Sequence, residues 1–98
     1  MHQDICRAIR ELRLIQLSYD WGYRTVEPHA FGRNNKGNEL LRVYQVGGTS
    51  KSGETTGWKL FRLDEINSLS VLEEQFLGPR SEYKTSDKAL SGQIYCEL

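Results

Sequence analysis

Ile5, Ile9 and Leu12 stand at i, i+4 and i+7, with Arg7, Arg10, Glu11 and Arg13 between them. That spacing lays one apolar stripe along a helix and predicts a helix over about residues 4–13 with Asp4 as its N-cap. From Leu14 the period changes to two: Ile15, Leu17 and Tyr19 alternate with Gln16, Ser18 and Asp20, the signature of a half-buried strand. Asp20-Trp21-Gly22 reads as a tight turn. A second strand follows over Tyr23 to Phe31, and Pro28 within it implies an edge or a bend, because proline cannot donate to a ladder.

Gly32 to Asn38 is a turn-rich connection, Leu40 to Val46 a third strand, Trp58 to Leu63 a fourth and Leu69 to Leu72 a fifth. Between the third and fourth, Gly47 to Gly57 has no apolar anchor and is expected to be a mobile hairpin loop. The tail from Phe76 ends in Ile94, Tyr95, Cys96 and Leu98, which could return as a last strand covering an edge. Short strands at this spacing after one helix describe a mainly β fold, a small barrel or a curled antiparallel sheet with an N-terminal helix. Residues 1–98 form one domain, with the barrel over about 14–72 and the tail 73–98 packed on its edge.

The 98 residues carry 13 Lys and Arg against 13 Asp and Glu, yet the charge is uneven. Residues 1–62 hold a net +4 and residues 63–98 a net −4, which leaves room for a cationic face on a neutral protein. No stretch approaches the roughly 20 apolar residues of a membrane helix, and Asp4, Arg7 and Arg10 stand where a signal peptide has its apolar run. The expectation is a cytoplasmic protein that does not engage a membrane. Cys6 and Cys96, at opposite ends of the chain and without a CxxC pairing, read as reduced, partly buried thiols.

Enzyme signatures are scarce. The only histidines are His2 and His29, so a His-based metal cluster cannot be assembled, and neither a phosphate loop nor a nucleophile elbow is present. Glu27-Pro28-His29 places a carboxylate and an imidazole on one strand parity, which would suit acid/base work but is more commonly a surface hydrogen bond. No catalytic residue and no cofactor is assigned. Basic and aromatic residues interleave instead: Tyr19, Trp21, Tyr23, Arg24, Tyr44, Trp58, Lys59 and Arg62. Small barrels stack bases on such aromatics while Arg or Lys engages phosphate, although a barrel this size also needs aromatics as filler.

The helix Ile5-x-x-x-Ile9, the strand Leu17-Ser18-Tyr19, Tyr23-Arg24-Thr25-Val26-Glu27-Pro28, Leu41-x-Val43-Tyr44, and Trp58-Lys59-Leu60-Phe61-Arg62-Leu63-Asp64-Glu65-Ile66 occur in an order that resembles the WYL domain family, over roughly residues 5–72. The resemblance implies a small Sm-like or SH3-like antiparallel β-barrel packed on an N-terminal helix that senses an effector, as in bacterial transcription regulators and phage-defence systems, with a nucleotide or single-stranded nucleic acid as ligand. It implies ligand contacts at Tyr19, Arg24, Tyr44 and Arg62, with His29 a weaker carry-over and Lys59 and Arg42 as additional contacts.

The chain departs from the family where the namesake Trp-Tyr-Leu falls on Glu39-Leu40-Leu41, and where Glu65 and Lys59 replace arginines. Fewer cations weaken an oligonucleotide reading, since phosphate affinity scales with the charges neutralised, and leave a small anion compatible. The 98 residues leave no space for a winged-helix part, so the expectation is a stand-alone module.

The leading reading places an anionic group on Arg24 and Arg62 and a base between Tyr19 and Tyr44. The alternatives are an Arg24–Glu27 ion pair and an Arg62 pair with Asp64 or Glu39. The competing function is an adaptor that binds a protein or a second copy of the chain through its sheet edges.

Overall fold

The computed structural model describes residues 1–50 and 53–98. Helix α1 (His2–Glu11) starts two residues before its expected position, with Met1 rather than Asp4 as N-cap. Asp4 lies in the first turn, where its charge complements the helix dipole. Leu12 ends the helix in the left-handed region at φ 57°, a conformation that costs a side chain about 1 kcal/mol and turns the chain directly into the first strand.

Strands β1 (Arg13–Tyr19), β2 (Gly22–Arg33), β3 (Glu39–Gly48), β4 (Gly57–Arg62), β5 (Ser68–Gln75) and β6 (Gln93–Glu97) follow, with single 3-10 turns at Leu63–Glu65 and Lys88–Leu90. Asp20 and Trp21 both take positive φ, the two-residue turn whose twist suits a hairpin. The expected loop at Gly47–Gly57 is shorter in the structure, because Gly47, Gly48 and Gly57 belong to strands. Within it Lys51 and Ser52 lie outside the described residues.

All pairings are antiparallel, in the order β4-β3-β2-β1-β5, with β6 added to β2. The sheet is open: β4 and β5 lie at its two ends, and among the described residues no pairing joins them. The fold is thus a six-stranded antiparallel sheet with one N-terminal helix, and the expected closure is not seen in the pairing.

Strand β2 organises the sheet. One side runs along β3 from Arg24 to Arg33, while the other meets β1 through Val26 and β6 from Ala30 onward. Pro28 falls in the gap between these two neighbours and at a register shift against β3, so no ladder bond is asked of its missing N–H. The bend expected at Pro28 is present on a central strand, not at an edge. The tail likewise returns as a strand, and β6 occupies the flank of β2 that β1 leaves.

The main core lies between α1 and one face of the sheet. Ile5, Ala8 and Ile9 pack on Ile15, Leu17, Val26, Phe31, Leu41, Val43, Phe61 and Ile66. A smaller cluster of Ala30, Leu40 and Leu90, joined by Tyr83 and Ile94, sits under the tail. Cys6 on α1 and Cys96 on β6 are joined by a disulfide, with their Cα atoms 5.7 Å apart. This corrects the reading of two reduced thiols: β6 packs beside α1, so residues 90 positions apart in sequence become neighbours. Among the described residues no helix is long and apolar enough to cross a membrane.

Candidate functional site

Strand alternation divides the expected ligand residues between two environments. On the helix-facing side, Arg24 is 4% exposed. Its guanidinium carbon lies 5.2 Å from the ring centres of both Tyr19 and Phe61, within cation–π range. Among the described residues its single hydrogen bond runs from Nη1 to Gln45 Oε1 at 3.4 Å, and Nε is buried without a partner. Gln45 is itself fully buried, and its amide donates to the carbonyls of Gly47 and Thr49, which fixes the orientation of the oxygen that meets Arg24. Gly48 passes so close that a Cβ there would stand 2.7 Å from Arg24 Cα.

The ion pair weighed between Arg24 and Glu27 does not form, and no carboxylate among the described residues pairs with Arg24. A guanidinium that has shed most of its water without gaining a counter-charge is costly. Only the Nη1 side is used, so the Nε–Nη2 edge keeps the fork that grips a carboxylate or phosphate through two bonds. Beside it, the Tyr19 hydroxyl donates to Glu65 at 2.9 Å. Burial and then that bond push its pKa up to about 12, so it remains a donor at any ordinary pH.

The opposite side of the sheet lies under the tail. Glu27 receives Arg80 Nε and Nη2 at 2.8 and 2.9 Å, and the Arg80 guanidinium sits 4.0 Å above the ring of Tyr44. Arg42 pairs with Asp87 at 2.7 Å. Burial raises the Asp87 pKa, but the bonds from Arg42 and Ala89 N–H outweigh it and hold the carboxyl below its usual value. His29 is fully buried within rings of Trp58, Tyr83 and Phe76. Its Nε2 accepts from the Arg80 N–H at 3.2 Å, so Nδ1 carries the proton and donates to the Glu27 carbonyl at 2.9 Å. Burial, reinforced by the Arg80 charge, lowers its pKa against the pull of Glu27.

The structure therefore joins Tyr19 to Arg24, places Tyr44, His29 and Arg42 together on the other side, and leaves Arg62 at the rim. Arg62 is exposed and closes on Asp64 with bonds of 3.2 and 2.9 Å, the alternative already weighed for it. Lys59 donates to Ser50 Oγ at 3.2 Å. The Glu27–His29 relation is a buried hydrogen bond to the backbone, not a surface one and not a carboxylate–imidazole contact. Among the described residues no group of three His, Cys, Asp or Glu side chains is placed to hold a metal ion.

Sequence reasoning missed Gln45 and Phe61 as neighbours of Arg24, and Arg80, Tyr83 and Asp87 as the residues that cover the second side. A signal for Gln45 was available, because it shares the parity of Leu41 and Val43 in β3, where a polar residue must answer another buried polar group. Compared with known proteins, the chain matches no family model, no curated sequence and no solved structure.

Proposed function

We propose that the chain is a ligand-sensing regulatory module similar to a WYL domain, taking an anionic ligand at the free edge of Arg24. The observation that carries this reading is a buried guanidinium with an unpartnered Nε and no carboxylate among the described residues. Nucleotides and single-stranded nucleic acid are the ligand classes the resemblance supplies. Tyr19 and Phe61 hold the guanidinium plane, and Gln45 occupies Nη1, so an oxyanion is received through Nε and Nη2. Since Arg24 is 4% exposed, entry requires neighbouring side chains to part, and that coupling of binding to rearrangement is what sensing needs. In the same reading the helix-first sheet is an Sm-like or SH3-like barrel left open between β4 and β5.

A second reading, an adaptor that binds a protein or another copy of the chain, is favoured by the β1–β2 turn. Trp21 is fully exposed and Tyr23 largely so, and such aromatics carry much of the energy of protein interfaces.

The test is binding of labelled mixed-sequence single-stranded DNA, with nucleotides in competition, over a salt series and with Arg24→Met as the comparison. Salt-dependent binding that the folded variant loses at least tenfold supports the anion site. Equal binding by the variant, or no binding of either ligand class, overturns it and shifts weight to the adaptor.

A further inference from the structure

A cavity of about 470 Å³ opens between the sheet and the tail, away from Arg24. Arg42 and Trp58 line it from the sheet, and residues 82–88 line it from the tail. The volume lies in the range of small-molecule sites.

Its aromatic wall is Trp58 and Tyr83, whose rings lie 26° from parallel with centres 6.2 Å apart. Both are held in place: Trp58 meets His29 and Tyr44 edge-on, and the Tyr83 hydroxyl donates to the His29 carbonyl at 3.3 Å. The facing loop is fixed as well, by Ser86 N–H on Glu97 and by the Asp87 carboxylate on Ala89 N–H.

The charges around this wall are not balanced. Of the two lining carboxylates, Asp87 is paired with Arg42, and Glu82 accepts from the Ser81 hydroxyl. Lys84 and Lys88 also line the cavity, are exposed, and have no ion pair among the described residues. The lining thus holds Arg42, Lys84 and Lys88 against Glu82 and Asp87, a net charge of +1 in which the two lysines are the cations without a carboxylate partner among the described residues.

We infer that this cavity is a second ligand site, for a small planar aromatic acid whose ring lies against Trp58 and Tyr83 and whose carboxylate meets Lys84 and Lys88. The ring supplies apolar area and stacking, and the ammonium groups select the anion from its neutral analogue.

The test follows the indole N–H signals of Trp58 and Trp21 by NMR while 2-naphthoate is added. The expected result is a saturable shift of Trp58 with Trp21 unmoved. Binding falls at least tenfold for 2-naphthamide and for the Lys84→Ala/Lys88→Ala protein, whose changes are confined to exposed side chains. Absence of saturation, equal affinity of the double variant, or the same shift from inorganic phosphate alone overturns the site. Arg24→Met binds naphthoate unchanged, so this site and the Arg24 site stand or fall separately.

Discussion

Arg80 reaches from the tail to the sheet and closes on Glu27 with two hydrogen bonds, while its guanidinium rests 4.0 Å above the Tyr44 ring. One side chain thus satisfies a carboxylate that is only 8% exposed and pins the tail over β2 and β3. Arg80→Ala leaves Glu27 buried and unpaired. Discounted for the exposure of Arg80, the expected loss is about 2 kcal/mol, measured as a fall in the urea midpoint. An unchanged midpoint would show that the tail is held by its apolar contacts alone.

Arg24 presents the opposite case. Arg24→Met keeps the packed stem, removes a desolvated charge without a carboxylate partner, and gives up two cation–π contacts for sulfur–aromatic ones. Against that gain stands the donor lost to the fully buried Gln45 oxygen, so stability should stay within about 1 kcal/mol of the native chain while anion binding disappears. A destabilised Arg24→Met protein would mean that the guanidinium serves the fold.

Reduction of the Cys6–Cys96 bond releases a closed loop spanning 90 positions. The chain-entropy model puts the loss at about 4.6 kcal/mol, read as the difference in urea midpoint with and without a phosphine reductant. No difference would mean that the disulfide contributes nothing to the oxidised fold.

His29 is buried neutral, with its folded-state pKa below the ordinary 6.5. Below that value the unfolded chain takes up a proton that the folded chain refuses, so stability is complete at neutral pH and falls as the pH drops through the window beneath 6.5. Urea midpoints between about pH 7 and pH 5 should therefore decline in the native chain and decline less in His29→Asn. Parallel declines would assign the acid sensitivity elsewhere.

Two glycines with positive φ separate backbone preference from crowding. Gly37, at φ 87°, has nothing within 4 Å of a Cβ, whereas at Gly48, φ 97°, a Cβ would stand 2.2 Å from the Tyr23 carbonyl oxygen. Gly37→Ala should cost about 1 kcal/mol and Gly48→Ala about 3 kcal/mol. Equal unfolding midpoints for the two variants would refute the close approach at Gly48.

The helix, five strands and the two-residue turn were legible because each is local: the apolar period switches from 3.6 to 2 at Leu14, and Asp20-Trp21 punctuates it. Boundaries shifted where pairing extended a strand beyond its apolar run, as in β5, whose polar end Glu73 to Gln75 joins the ladder with β1. The candidate site was legible only in part. Tyr19 and Arg24 share a face by parity, but the division of Tyr44 and His29 from Arg24 depends on where the tail settles, and no spacing in the tail announces that Arg80 meets Glu27. The cysteines were misread because their neighbourhood is made by β6 docking beside α1, a contact between opposite ends of the chain.

That same disulfide turns a linear polypeptide into a covalent ring that spans Cys6 to Cys96. A protease that cuts once at the exposed segment before β4 would release no fragment, since both pieces remain tethered through sulfur. The nicked molecule would run as one species until a reductant is added, and only then as two.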